Sequence, residues 1–143
     1  MRVLAVDYGD KRVGLAISDP LGIAAHGLET LEVRSVQQAA KAVARTAREK
    51  EAERIIVGLP LNMDGSSGPR AEATETFCGE VRKRTEVPVD VFDERWTTVR
   101  AERTLHEGGV KARNQKKHLD RLAAVLILQD YLASQPGSLG PVQ

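Results

Sequence analysis

The chain has 143 residues, 41% hydrophobic and 29% charged, with a formal net charge of +1, which suits one globular domain and excludes two separately cored ones. Aromatic residues supply only 3% and cysteine occurs once, at Cys78, so Val, Ile, Leu and Ala must fill the core, and an internal disulfide or a cysteine-based zinc site is excluded. No apolar run approaches the ~20 residues of a membrane span, and Asp7 interrupts the N-terminal segment before a signal-peptide core could form; the expectation is a cytoplasmic protein with no membrane partner.

Val3–Val6 is a short apolar run ending in Asp7, and Gly9-Asp10 turns the chain into a second run, Val13–Ser18. Two such runs joined through a glycine predict an antiparallel hairpin. Pro20 and Gly22 then break the chain, and a third strand is expected within Ala24–Val33. Ser35 followed by Gln38 fits a capping box, opening a helix with the stripe Val36, Ala40, Val43 and Ala47. Arg54–Gly58 reads as a buried parallel strand. The segment 62–69 (NMDGSSGP) is the most loop-like in the chain and is expected to be mobile and close to a functional site. A helix over about Ala71–Thr85 leads to a strand, Val89–Phe92, which delivers Asp93 and Glu94 at its carboxyl end. A helix from Thr97 or Thr98 should stop at Gly108-Gly109, Val110–Lys116 reads as a polar connection, and the most apolar helix follows over about Lys117–Ala133. Residues 1–134 are thus expected to form one domain, with 135–143 a disordered, Pro/Gly-rich tail. The order implies a five-stranded mixed sheet, three antiparallel strands then two parallel ones, flanked by helices.

Charge is unevenly spread. Residues 95–121 carry eight Lys or Arg against Glu102, Glu107 and Asp120, a net of +5, while residues 1–94 carry 13 basic and 16 acidic residues, a net of −3. A basic stretch directly after an acidic pair is a possible footprint for a phosphate backbone; a solvated basic helix face is the plain alternative. Lys116, Lys117 and Arg121 lie where cations oppose the dipole of the last helix, which mildly favours the first reading.

Acids placed directly after apolar strands need an explanation, because burying an unpaired carboxylate costs several kcal/mol. Asp7 and Glu94 both sit at strand carboxyl ends, where open α/β sheets bind ligands. Asp120 has Ala123 and Ala124 one turn on, residues small enough to let the helix approach the sheet. Each acid alone could be a cap, an ion-pair partner or a turn former. Three gathered carboxylates repel one another unless a cation stands between them. Oxygen-only ligands suit Mg²⁺ or Mn²⁺, and two such ions ~4 Å apart serve in-line attack of water on a phosphodiester.

Four blocks of the sequence then resemble the YqgF/RuvX family of RNase H-like proteins: Asp7-Tyr8-Gly9-Asp10-Lys11-Arg12-Val13-Gly14; Gly58-Leu59-Pro60-Leu61-Asn62-Met63-Asp64-Gly65; Asp93-Glu94-Arg95-Trp96-Thr97-Thr98; and Lys117-His118-Leu119-Asp120-Arg121-Leu122-Ala123-Ala124. Together they run from residue 7 to about residue 130. The resemblance implies an RNase H-like fold and a nuclease whose catalytic, metal-binding acids are Asp7, Glu94 and Asp120, holding Mg²⁺ or Mn²⁺ as two ions. It implies substrate contacts for Arg12, Asn62, Arg95 and Lys116. The partner it implies is nucleic acid, with RNA favoured through maturation of the pre-16S rRNA 5′ end and branched DNA as the alternative, acted on by a monomer or weak homodimer. Trp96 stands where a smaller apolar residue is commoner; it reads as core packing, with stacking on a base as the other possibility.

Three other readings compete. An actin-like ATPase would need a second domain and a second Asp-x-Gly loop. A non-catalytic nucleic-acid-binding module would not require all three acids. A phosphatase using Asp7 as nucleophile would space its acids by two residues, whereas Asp7 and Asp10 are three apart. His118 lies two positions from Asp120, a spacing that points them in different directions on a helix.

Overall fold

In the computed structural model, residues 1–95 and 113–135 are described, with side chains from 121 onward in the second stretch. The elements are β1 (Val3–Tyr8), β2 (Arg12–Ser18), β3 (Ala25–Gly27), β4 (Leu31–Glu32), α1 (Val36–Glu49), β5 (Arg54–Leu59), α2 (Pro69–Arg82), β6 (Val89–Asp93) and α3 (Arg113–Ser134). One mixed sheet runs in the order β3-β2-β1-β5-β6. β1, β2 and β3 are antiparallel, whereas β5 is parallel to β1, and β6 to β5.

Strand alternation sorts the apolar residues onto two faces. Leu4 and Val6, Val13 and Leu15, Ile55 and Val57 share one core with Ala40, Val43 and Ala47 of α1 and Phe77, Cys78 and Val81 of α2. Val3, Ala5, Ala16 and Ile56 face the other way, against Ala123, Ala124, Ile127 and Leu128 of α3. β1 and β5 are therefore covered on both sides, which is why they read as continuous apolar runs, whereas the edge strand β6 leaves Asp90 and Val91 exposed. With so few aromatics, each buried Leu, Ile or Phe contributes on the order of 2–3 kcal/mol. Tyr8 stacks on Phe77 with ring centroids 4.3 Å apart, closing the first core near the carboxyl end of β1.

Local signals explain the helices. Ser35 caps α1, its hydroxyl accepting from Gln38 N at 3.1 Å. The Gln38 side chain reaches back to Arg34 N, one residue before the N-cap. Pro69 occupies the first turn of α2, where its missing N–H costs nothing. At the other edge, the stem of Arg121 lies over Gly27, and its Nε donates to Leu28 O at 3.0 Å, tying α3 to the β3 side of the sheet.

Three expectations change. The third strand is broken in two: Ala16 pairs with Gly27 and Val13 with Leu31, so three steps along β2 are matched by four on its partner, a one-residue bulge. The sheet consequently has a short sixth strand off the main path. α3 begins at Arg113 rather than Lys117. Residues 113–116 are polar but contain no Gly or Pro, and a helical turn can be as polar in sequence as a loop. The helix expected from Thr97 or Thr98 to Gly108-Gly109, with Trp96, lies outside the described residues, as do positions 136–143 of the expected tail.

Candidate active site

Three strands end at one edge of the sheet. Val6 is level with Val57, and Gly58 with Phe92; one step beyond Val6 puts Asp7 beside Gly58 on the neighbouring strand. Asp7 alternates with Val3 and Ala5 and so belongs to the face covered by α3. Glu94 follows β6 and extends its pairing, its N–H donating to Leu59 O at 3.3 Å. Phe92, two residues earlier, packs in the α3-side core. Both acids are withdrawn from water, with Asp7 6% and Glu94 2% exposed.

Gly58 decides where the Glu94 side chain goes. A Cβ on this glycine would overlap the Glu94 carboxylate and would stand 2.6 Å from Ile127 Cδ1. The carboxylate therefore lies directly over the middle strand, in the space a side chain would fill, and adjacent strands are ~4.8 Å apart. This brings Glu94 across from the edge strand toward Asp7. Ile127 closes the same space from α3. Asp120 lies seven residues before Ile127 and four before Ala124 within α3, the spacing of one helical face; its side chain is outside the described residues. Among the described residues no three His, Cys, Asp or Glu side chains are grouped as metal ligands.

The donor chemistry of the two described acids fits a divalent cation. Both are carboxylates and both are buried; the Glu94 carboxylate lies over Gly58, and strand register places Asp7 beside that glycine on the same face. Such an oxygen-only pair suits a hard ion such as Mg²⁺ or Mn²⁺.

The remaining residues singled out from the sequence fall around this edge. Arg12 opens β2, two residues before Gly14, the direct partner of Asp7, and is half-buried. It therefore shares the face that carries Asp7. Asn62 is at the start of a compact turn in which its N–H donates to Ser66 O and its Nδ2 to Ser66 Oγ, both at 3.0 Å. Asp64 Oδ1 accepts from Ser66 N at 2.9 Å and Ser66 Oγ at 2.6 Å. The Ser66 hydroxyl, its backbone N–H and the charge of Arg95 hold the Asp64 carboxyl below its usual range. Within the 62–69 segment, residues 62–66 thus form a hydrogen-bonded turn, and Met63 O accepts from Arg95 Nη1. Arg95 grips Asp93, which is held below the ordinary carboxylate range chiefly by that side-chain contact. Lys116 lies in the first turn of α3, with its side chain outside the described residues.

Sequence reasoning did not single out Gly58 or Asp93 as site residues. A glycine inside Ile55-Ile56-Val57-Gly58 was the available signal, since strand glycines mark close approach. Nothing in the pattern announced that Asp93 serves its neighbour Arg95.

Residues 1–134 match the family described as "RuvX: Holliday junction resolvase". Among curated relatives, a "Putative pre-16S rRNA nuclease" of Halothermothrix orenii is 45% identical over 135 residues, covering 94% of this chain and 96% of the relative. One of the same name from Acetivibrio thermocellus is 47% identical over 137 residues, covering 94% and 97%. Among solved structures, RuvC of T. thermophilus in complex with a Holliday junction substrate superposes with a TM-score of 0.57 at 18% identity, over 99% of both chains. The fowlpox virus Holliday junction resolvase gives 0.54 at 17% identity, over 94% of this chain and 100% of that one. These last two likenesses concern the fold, which is RNase H-like as the sequence led us to expect.

Proposed function

The chain belongs to the RuvX family, and on that premise we propose that it is a divalent-metal-dependent endonuclease hydrolysing phosphodiester bonds, with the 5′ end of pre-16S rRNA as its substrate. The observation that carries the proposal is the burial of Asp7 and Glu94 on one face, with the Glu94 carboxylate lying over Gly58, the register neighbour of Asp7.

In this reading Asp7 and Glu94, joined by Asp120 from α3, hold two Mg²⁺ or Mn²⁺ ions. When bound, these would supply the positive charge that eases ionisation of an attacking water and steadies the departing oxygen. The chain's own part is positional. β1 and the end of β6 present two carboxylates from rigid strand ends, and the lack of a side chain on Gly58 leaves the room that the Glu94 carboxylate fills. Arg12 and Lys116 neutralise flanking phosphates, and Asn62 meets the substrate from its turn. One domain over residues 1–134 carries all of these, acting as a monomer or weak homodimer in the cytoplasm. Among the described residues no helix is long and apolar enough to cross a membrane.

RNA is favoured because both relatives carry the name "Putative pre-16S rRNA nuclease". A second reading, cleavage of a four-way DNA junction, is favoured by the family description. Paired symmetric cuts would require two copies with both sites facing one substrate. The test is incubation with labelled pre-16S RNA fragments, duplex DNA and four-way junctions, each with Mg²⁺, Mn²⁺ or chelator, beside an Asp7→Asn control. Metal-dependent cleavage lost in the control supports the proposal, and cleavage that the control retains refutes it. Preference for the junction would move the substrate to the second reading.

A further inference from the structure

Glu94 is bracketed by hydrogen bonds on both sides. Its own N–H donates to Leu59 O. The next N–H, of Arg95, donates to Asp93 Oδ1 at 2.9 Å, so the Asp93 side chain closes a turn around the Glu94 backbone. The same carboxylate takes the Arg95 guanidinium, with Nε 3.0 Å and Nη2 2.9 Å from Oδ2. The remaining arm, Nη1, donates to Met63 O at 3.4 Å. It lies over Gly65, where a Cβ would stand only 2.9 Å from Nη1 and where φ is +90°. The turn it meets is itself braced by Gly65 N donating to Asn62 O at 2.9 Å and by the Asp64–Ser66 contacts. One guanidinium therefore couples the end of β6 to the 62–66 turn that leaves β5, with Glu94 held between them.

We infer that Asp93 and Arg95 are a positioning pair that aligns the Glu94 carboxylate and the 62–66 turn, rather than a substrate grip; this rests on the reading of Glu94 as a metal-holding acid. The Asp93 carboxylate occupies the Nε/Nη2 edge of the guanidinium and Met63 O engages Nη1, so that edge is withheld from a phosphate. Groups that orient metal ligands without touching the metal characteristically cost ~10–100-fold in metal affinity or activity when removed.

The experiment compares the wild type with Arg95→Gln, Arg95→Lys and Asp93→Asn in two arms. In the first, hydrogen exchange is followed at the amides of Gly65 and residue 95. Arg95→Gln is expected to speed both by about tenfold or more while the β1 and β5 amides keep their protection. Unchanged exchange at those two amides overturns the clamp, whatever the activity. Should Arg95→Gln fail to fold, Asp93→Asn carries the test at the Gly65 amide, since it keeps an acceptor for the Arg95 N–H but puts a donor NH2 in place of the oxygen that takes the guanidinium.

In the second arm, cleavage and binding of a labelled RNA hairpin and a four-way junction are measured. A positioning role predicts kcat reduced ~10–100-fold, with KM and the salt dependence of metal-free binding retained. It also predicts that Arg95→Lys, which keeps the charge but not the fork, stays as slow as Arg95→Gln. A raised KM with a salt slope shallower by about one charge would make Arg95 a phosphate contact and overturn the inference. Full rescue by lysine would overturn it too. If the wild type cleaves nothing, the nuclease reading fails, and the exchange arm still decides the clamp.

Discussion

Substituting Gly58 by alanine tests how the candidate site is assembled. The added methyl group would overlap the Glu94 carboxylate and stand 2.6 Å from Ile127 Cδ1 and 3.1 Å from the Glu94 carboxyl carbon. Ordinary carbon contacts begin near ~3.5 Å, so the isoleucine must retreat by roughly 0.9 Å and the acid must swing off the strand. Overpacking of this kind costs ~1–3 kcal/mol, which at this chain length lowers Tm by roughly 3–9 °C. A displacement near 1 Å at a catalytic group costs up to ~100-fold in rate. The assay is thermal unfolding in parallel with initial cleavage rates under saturating metal. Adding Ile127→Val removes the clashing methyl and should recover part of the lost Tm, while the rate stays low because Glu94 remains displaced. A Gly58→Ala protein with wild-type kcat would refute the reasoning that the carboxylate occupies the space above Gly58.

Three further outcomes are expected. Mn²⁺ at about a hundredfold excess over its Kd should stabilise the wild type by ~2.7 kcal/mol, read as a rise in Tm. Asp7→Asn should abolish that rise, and a rise equal to that of the wild type would contradict metal binding by Asp7. The Asp93 carboxyl is depressed by Arg95, so its contribution to stability is present above the unfolded value of about 3.9 and is lost as pH falls through the lower folded value. The acid limb of a Tm-against-pH curve should therefore be shallower for Asp93→Asn, and an identical limb would contradict the pairing. Burial pushes the Cys78 thiol up to about 11 at 1% exposure. A thiol reagent near pH 8 should then label the protein only as it unfolds, and rapid labelling of the native state would be inconsistent with that burial.

β5 was legible because burial on both faces leaves a plain mark: Arg54–Gly58 reads as one apolar run. Val89–Phe92, an edge strand with Asp90 and Val91 exposed, still carries enough apolar residues to be read as a strand. The β3–β4 edge was less legible. Its division depends on a one-residue bulge against β2, and a bulge follows from pairing geometry that composition does not encode. The start of α3 was missed because Arg113–Lys116 is as polar as a connection would be. For the site, strand-end acids drew attention to Asp7 and Glu94. What lets Glu94 lie over the strand beside Asp7 is the absence of a side chain at Gly58, and a glycine in a strand reports a close approach without saying what approaches. The Asp93–Arg95 contact is likewise a rotamer choice between sequence neighbours, invisible to spacing.

The most direct measurement is a crystal structure of the protein soaked with Mn²⁺, with the ions located by anomalous scattering. The account predicts manganese bound between the Asp7 and Glu94 carboxylates at oxygen distances of about 2.1 Å, with Asp120 completing the shell. Manganese bound elsewhere, or an undisturbed pair of carboxylates with no ion between them at millimolar metal, would contradict it.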